Sequence, residues 1–147
     1  MSERHSSSAV EETRALGRAL ARRLPADATL LLYGDLGSGK TVLTQGIGEG
    51  LGLDPDAVLS PSYTLINEYD GGKRRLVHVD LYRLEPGDLP ALGLEEMLGG
   101  PGVKVVEWAE RIDFPLPGAW RLHLRPGTGP SDRILELDPA PNENELT

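Results

Sequence analysis

The residues best suited to chemistry in this chain form a glycine-rich loop that ends in a lysine and a threonine. The segment Gly34-Asp35-Leu36-Gly37-Ser38-Gly39-Lys40-Thr41 fits the pattern G-x-x-x-x-G-K-[ST], whose inward-pointing backbone N–H groups cradle nucleotide phosphates. Lys40 would direct a positive charge at the outer phosphates, and the Thr41 hydroxyl would bind the accompanying Mg²⁺. The motif therefore predicts ATP and Mg²⁺ as ligands, contacted by the residues from Asp35 to Thr41.

The elements on either side of this loop fit its expected context. The apolar run from Leu30 to Tyr33 predicts a buried strand, and residues 42–51 predict a helix that starts at the loop. The helix contains three glycines, each costing about 1 kcal/mol relative to alanine in an exposed helix, and Gly52 is a candidate for its end. We therefore expect a weak helix that is held by ligand and packing, or one whose second half frays.

Two acidic residues follow apolar strands elsewhere in the chain. Asp80 comes after residues 76–79, and Glu107 comes after residues 103–106. If both strands run parallel to the strand before the loop, both carboxylates reach the edge of the sheet where Mg²⁺ would sit. We predict Asp80 and Glu107 as metal-binding and catalytic residues together with Lys40, without deciding which carboxylate contacts the metal. Taken singly, each acid could instead be a solvated residue at a strand end.

The remaining patterns complete one α/β domain. Ser8 and Glu11 predict a capping box that opens a helix to about Leu24. The other predicted elements are two hairpin strands at 64–69 and 75–80, a short helix at 89–98, and strands at 120–124 and 133–137. We predict a single P-loop NTPase-like ATPase domain over residues 1–138, with a mixed, mainly parallel sheet flanked by helices, and a disordered tail over residues 139–147.

Composition restricts location and partners. The chain has no cysteine, no basic-then-apolar signal pattern at its start and no apolar stretch long enough to cross a bilayer, so we expect a soluble cytoplasmic protein without membrane contact. Its 23 acidic residues against 15 Lys and Arg give a formal charge of −8, which repels a phosphate backbone. Extended, direct nucleic-acid binding is therefore not expected.

Four motifs together resemble the TsaE family. They are the glycine-rich loop, Ser60-Pro61-Ser62-Tyr63-Thr64-Leu65, His78-Val79-Asp80-Leu81-Tyr82-Arg83-Leu84 and Val106-Glu107-Trp108, and their order and spacing are typical of that family. The resemblance implies a small bacterial ATPase required to make threonylcarbamoyladenosine, the modified base beside the anticodon of tRNAs that read codons beginning with A. It also implies a partner, the TsaB–TsaD complex, through which tRNA would chiefly be engaged.

The same resemblance assigns roles to particular residues. It implies that residues 60–64, including Thr64, form a first switch, and that Glu107 and Trp108 form a second switch beside Mg²⁺. It further implies that Arg133 approaches the nucleotide from the C-terminal strands. Trp108 could cover the nucleotide or gate a partner surface, or it could be an aromatic residue that packs at a strand end. The helix glycines depart from the family pattern.

For other charged and titratable residues, a structural or solvent-exposed role competes with a functional one. Arg14, Arg18 and Arg22 recur every four residues, which favours a solvated helix face over a partner or tRNA contact. The basic run at 73–75 fits an edge-strand charge better than a nucleic-acid contact. His78 and His123 have no further ligands at metal spacing, so we interpret both as structural.

Three mechanisms are compatible with the motifs. The first is Mg²⁺-ATP hydrolysis that drives or resets a partner complex, slow alone because no arginine is placed as a finger in cis, and stimulated by the partner. The second is a small-molecule kinase, which would need an acceptor pocket and an arginine-bearing lid. The third is a nucleotide-dependent scaffold that does not hydrolyse ATP, in which Asp80 and Glu107 would be dispensable.

Overall fold

A seven-stranded sheet forms the centre of the molecule in the computed structural model, which describes residues 2–35, 39–54, 66–70 and 74–140. The order across the sheet is β1-β7-β6-β2-β5-β4-β3. The strands are β1 (Glu3–Ser7), β2 (Thr29–Tyr33), β3 (Ile66–Tyr69), β4 (Leu76–Asp80), β5 (Val103–Glu107), β6 (Trp120–Pro126) and β7 (Arg133–Asp138). Strands β2, β4, β5 and β6 are mutually parallel, and β3 and β7 run antiparallel to their neighbours.

This arrangement confirms the predicted α/β fold with a mixed, mainly parallel sheet. Strands β2, β4 and β5 are apolar along most of their length because both of their faces are covered. Leu30, Leu32 and Val105 contribute to the core on one face, whereas Leu31 and Val106 contribute to the core on the other. The sheet is therefore the middle layer between two apolar clusters.

The helices are α1 (Val10–Arg23), α2 (Lys40–Gly50) and α3 (Leu94–Leu98). The predicted capping box is wrong by one position. Ala9 is the N-cap of α1 without a side-chain cap, and the carboxylate of Glu12, not Glu11, accepts a hydrogen bond from the Ser8 backbone N–H. The helix predicted at 89–98 is also shorter than expected, since short 3₁₀ turns precede Gly93, whose φ of 62° interrupts the helical path.

The glycines of α2 have a packing role that the sequence patterns did not show. A Cβ at Gly46 of α2 would lie 2.1 Å from the carbonyl oxygen of Arg14 in α1. On the facing helix, a Cβ at Gly17 of α1 would lie 2.4 Å from the carbonyl oxygen of Leu43 in α2. These glycines let the backbones of α1 and α2 touch. At the other end of α2, the N–H groups of Gly52 and Leu53 bond the Glu49 and Gly48 carbonyls, which is a Schellman ending and agrees with the prediction at Gly52.

The basic stripe on α1 is largely engaged with the rest of the protein. Arg18 lies 2.8 Å from Glu49 and Arg14 lies 3.5 Å from the same carboxylate, so both arginines pair with α2. Arg22 is exposed. Arg14 and Arg18 are therefore half-buried and join α1 to α2 near their glycine contact, which corrects the predicted solvated face at these two positions.

Arg74 and Arg75 of the basic run on the hairpin have structural partners as well, whereas Lys73 lies outside the described residues. Arg74 donates to the carbonyls of Ala21 at 3.0 Å and Leu24 at 2.8 Å, which lie at the C-terminal end of α1. Arg75 lies 2.7 Å from Glu68 on the neighbouring strand β3. Arg74 therefore satisfies carbonyls that helix geometry leaves without partners.

The two ends of the chain add details that were not predicted. Strand β1 pairs with β7, although the sequence analysis assigned no element to residues 3–7. Ala140 packs against the core, and residues 141–147 of the predicted tail lie outside the described residues. Within the described part of the chain, no helix combines the length and apolar character needed to span a membrane.

Candidate nucleotide-binding site

Two acidic residues lie side by side at the carboxyl edge of the sheet. Strands β4 and β5 are parallel, and Asp80 is the register partner of Glu107. Strand β2 is parallel to β5, and Leu32 pairs with Glu107, so the chain leaves β2 towards the glycine-rich loop at the same edge. The predicted parallel arrangement is therefore confirmed, and it brings both carboxylates to the start of the loop.

Lys40 lies among these groups at the first residue of α2. The N-cap is Gly39, whose left-handed φ of 105° is favoured by glycine. The Lys40 side chain is 5% exposed, and its ammonium group donates to the Gly34 carbonyl oxygen at the end of β2. Burial lowers the pKa of Lys40, and the negative charges of Glu107, Glu110, Asp80 and Asp35 act in the opposite direction.

Trp108 covers the Lys40 ammonium group. The Nζ atom of Lys40 lies 3.7 Å from the centre of the indole ring, which is a cation–π contact. Trp108 has a φ of 60°, a left-handed conformation that is a genuine outlier for a bulky residue. Tyr82 packs on the indole with ring centres 5.0 Å apart, and the Arg111 guanidinium lies 6.0 Å from it. Trp108 therefore packs inside the site, beside the lysine that is predicted to bind phosphate.

The backbone two residues further along the chain holds the Asp80 side chain near this cluster. Its Oδ1 atom accepts a 2.9 Å hydrogen bond from the Tyr82 backbone N–H. Burial raises the pKa of Asp80, the Tyr82 hydrogen bond opposes that shift, and the nearby Glu107 raises the pKa further. Two neighbouring carboxylates of this kind favour a cation between them.

His78 is a site residue whose position the sequence analysis missed. It is fully buried, and its Nε2 atom contacts a carboxylate oxygen of Glu107. The burial of His78 agrees with its prediction as a structural residue, but its contact with Glu107 also joins it directly to a predicted catalytic residue. Its spacing of two from Asp80 places both residues on one face of β4, which is the signal that could have revealed it.

Arg133 lies close to the glycine-rich loop from the opposite side. A Cβ on Gly39 would be 3.8 Å from the Arg133 Nε atom and 3.8 Å from the methyl carbon of Thr13. Thr13 in turn shares a 2.6 Å hydrogen bond with Ser7 at the end of β1. Arg133 thus lies beside Gly39 at the end of the loop, and its predicted contact with a nucleotide stays a prediction.

Four other predicted contacts cannot be placed. Leu36, Gly37, Ser38 and Thr64 lie outside the described residues, as does the whole first switch at 60–64. Asp35 is described and exposed, and Thr41 is half-buried in the first turn of α2. The described residues therefore include both ends of the glycine-rich loop but not its centre, residues 36–38.

The donor set matches magnesium better than a transition metal. Thr41, Asp80 and Glu107 offer oxygen ligands, which Mg²⁺ prefers together with phosphate oxygens and water. Among the residues that the structure describes, no three His, Cys, Asp or Glu side chains gather as a metal site of their own. These residues fit a Mg²⁺ ion that shares its ligands with a bound phosphate, as in P-loop proteins.

The fold and the placement of these groups define a P-loop NTPase-like α/β protein: a buried strand, a glycine-rich loop, a helix, and carboxylates on neighbouring parallel strands. Residues 7–133 match the family model described as "Threonylcarbamoyl adenosine biosynthesis protein TsaE". The chain belongs to the TsaE family.

Individual relatives agree with this assignment. The chain is 45% identical over 136 residues to the tRNA threonylcarbamoyladenosine biosynthesis protein TsaE of Bacillus subtilis, covering 92% of this chain and 85% of that protein. It is 46% identical over 108 residues to the Nostoc protein of the same name, covering 71% of this chain but only 66% of the relative. The match to the Synechocystis TsaE spans 63% of that protein.

A solved structure shares the fold along nearly the whole chain. The crystal structure of Bacillus subtilis YdiB superposes with a TM-score of 0.77 at 31% sequence identity, covering 99% of this chain and 90% of the other. This likeness supports the P-loop NTPase-like fold independently of the motifs.

Proposed function

We propose that this chain is a Mg²⁺-dependent ATPase of the cytoplasmic machinery that makes threonylcarbamoyladenosine in tRNA. The observation that carries the proposal is the convergence of Lys40, Asp80 and Glu107 where the glycine-rich loop leaves the sheet. Family membership supplies the pathway, since the relatives are named for tRNA threonylcarbamoyladenosine biosynthesis. The proposed partner is a TsaB–TsaD-like protein complex.

Each group in the site has a task that its chemistry suits. Lys40 binds the outer phosphates as a point charge, and its burial strengthens that interaction because little water screens it. Thr41 and the two carboxylates hold Mg²⁺, which neutralises charge on the phosphates when it is bound. Glu107, the more deeply buried carboxylate, has the proposed role of orienting the attacking water.

Trp108 connects the site to its surface. Its indole covers the Lys40 ammonium group, so phosphate binding at Lys40 requires the indole to adjust. The strained backbone at Trp108 marks a residue whose conformation depends on its surroundings. We propose that the second switch, Glu107 and Trp108, has different positions with ATP and with ADP, and that the partner complex binds one of them.

The acidic character of the chain supports an indirect contact with tRNA. The formal charge is −8, and Arg14, Arg18, Arg74 and Arg75 all have protein partners. In this proposal tRNA is bound chiefly by the partner complex, while this chain supplies nucleotide-dependent timing.

The first test removes the phosphate-binding charge. In Lys40→Ala we expect loss of ATP binding and hydrolysis with an unchanged circular dichroism spectrum, because the side chain serves the ligand rather than the apolar core. Arg22→Ala, which removes an exposed positive charge from α1, is the matched control and should behave as wild type. ATP hydrolysis at the wild-type rate in a folded Lys40→Ala protein would refute the proposed site.

The second test separates hydrolysis from scaffolding. Glu107→Ala should lower kcat by at least about 10²-fold, the lower bound for a group that acts in acid–base or positioning chemistry, while ATP binding persists. Near-wild-type turnover in both Glu107→Ala and Asp80→Ala would favour a scaffold that does not hydrolyse ATP. Transfer of phosphate to a metabolite instead of water would indicate a kinase.

The third test concerns the partner. Light scattering can measure association with a TsaB–TsaD complex in the presence of a non-hydrolysable ATP analogue, ADP or no nucleotide. We expect tight association in only one of these states, because a switch needs different contacts in its two forms. Equal affinities in all three would remove the support for nucleotide-gated binding.

A further inference from the structure

His78 is a buried polar residue to which the proposed function gives no role. It lies in the middle of β4, opposite Val105 of β5, with none of its surface exposed. Glu107 is two residues further along β5, so it is the diagonal neighbour of His78 on the same face of the sheet. The Nε2 atom of His78 contacts Glu107 Oε2 across this diagonal.

The chemistry of the pair determines the direction of this hydrogen bond. An ionised carboxylate can only accept, so the Nε2 atom of His78 carries the proton and donates it to Glu107. The Nδ1 atom of the same ring is buried and has no hydrogen-bond partner among the described residues. The contact with Glu107 is therefore the polar bond that fixes the orientation of the ring.

The surroundings of His78 are suited to an apolar side chain. Its neighbours on this face, Leu76 and Val103, belong to the apolar core beneath α1 and α2. A buried nitrogen without a partner costs stability, and apolar side chains at both His78 and Glu107 would avoid the cost of a buried polar pair. Stability alone therefore does not account for an imidazole at this position, whereas orientation of Glu107 does.

We infer that His78 is a positioning residue that holds the Glu107 carboxylate in the orientation needed beside Asp80 and Lys40. The inference rests on the proposed function, in which Glu107 acts on ATP hydrolysis. Without the imidazole, the attraction of the Lys40 ammonium group would act on both carboxyl oxygens of Glu107. The imidazole engages one oxygen and leaves the other available to the site.

The kinetic experiment compares His78→Leu, His78→Gln and the control His123→Gln. Outer hydrogen-bond partners of functional carboxylates are typically worth 10- to 100-fold in activity, so His78→Leu should lower kcat by about that factor with little change in KM for ATP. His78→Gln keeps an N–H donor and should recover part of the loss. His123 is exposed and stacks on Tyr33 at 4.5 Å, away from Glu107, so its variant should match wild type.

Thermal unfolding of the same variants distinguishes positioning from a structural role. We expect His78→Leu, which leaves the buried Glu107 carboxylate without this partner, to be less stable than wild type but still folded at the assay temperature, with a lower kcat that His78→Gln partly restores. A wild-type kcat in His78→Leu, or a loss of kcat that is matched by a loss of stability and is equal in His78→Gln, would overturn the inference while leaving the proposed function standing. Absence of ATP hydrolysis by the wild type, with and without the partner complex, would overturn the proposed function itself.

A spectroscopic measurement keeps the inference testable if the leucine variant does not fold. In the nucleotide-free wild type, ¹⁵N imidazole spectra should show His78 protonated at Nε2. Glu107→Gln should shift the His78 resonances and leave those of His123 unchanged. A His78 ring protonated at Nδ1 alone, or one that does not respond to Glu107→Gln, would contradict the proposed contact.

Discussion

Replacement of Gly46 by alanine tests whether the contact between α1 and α2 accounts for the glycines of the phosphate-loop helix. The new Cβ would lie 2.1 Å from the Arg14 carbonyl oxygen and 2.9 Å from the Arg14 carbonyl carbon. Carbon–oxygen contacts are normally about 3.3 Å or longer, so the two helices would have to separate by roughly 1 Å. Both opposing groups belong to helix backbones, and no side-chain rotation can relieve the contact.

The expected magnitude follows from two opposing effects. Overpacking in a well-packed region costs about 1–3 kcal/mol, and the upper end applies here because a gap of this size also forfeits about a quarter to a half of the dispersion energy of the neighbouring contacts. Alanine in place of glycine returns about 1 kcal/mol of helix propensity. The net loss is about 2 kcal/mol, which corresponds to a fall in Tm of about 4–8 °C for a domain of this size.

Thermal unfolding followed by circular dichroism measures this loss. Gly87→Ala is the matched control, because a Cβ there would meet no described atom within 4 Å, and its Tm should stay within about 1–2 °C of wild type. A Tm of Gly46→Ala equal to or above that of wild type would mean that helix propensity outweighs packing. The glycines would then need another explanation.

Three further predictions concern ligands and pH. Thr41→Ala should raise the Mg²⁺ concentration needed for half-maximal ATP hydrolysis, measured by phosphate release, because it removes a hydroxyl ligand. In a Trp120→Phe background, the fluorescence of Trp108 should change when ATP and Mg²⁺ are added, since its indole lies 3.7 Å from the Lys40 ammonium group; an unchanged spectrum under saturating ATP would contradict this. The Arg23 guanidinium donates two hydrogen bonds to Glu3 and lowers the pKa of this carboxyl group from 4.5 to about 2. The pair therefore stabilises the folded state fully above about pH 4.5, and this stabilisation is lost as the pH falls through 2. Glu3→Gln should accordingly be slightly less stable than wild type at pH 7 and equally stable near pH 2, as urea unfolding would show.

Much of the fold was predictable because local patterns and tertiary contacts agree. The apolar runs of β2, β4 and β5 are short and bounded by turns, so their parallel pairing followed from the requirements of the glycine-rich loop. Strand β1 was not predictable, because residues 3–7 are polar and its partner is β7, more than 100 positions away in the chain. The prediction of one continuous helix over residues 89–98 was wrong because Gly93 takes a left-handed conformation, which helical periodicity does not reveal.

The candidate site was predictable to the extent that its residues carry motif signals. Lys40, Asp80 and Glu107 were found from a loop pattern and from acids that follow strands. His78 was not, because a histidine within an apolar strand gives no sign of its partner until the register of β4 and β5 is known. The contact of Trp108 with Lys40 likewise depends on a backbone conformation that sequence patterns do not encode.

The most direct test of the account is the rate of ATP hydrolysis by this chain alone and with a TsaB–TsaD complex, with Mg²⁺ present. The sequence patterns place no arginine as a finger in cis, so we expect slow turnover alone. Stimulation by the complex should follow, because a partner that orders the second switch supplies what the free chain lacks. Absence of hydrolysis in both conditions, or hydrolysis in the Lys40→Ala variant at the wild-type rate, would contradict the central claim.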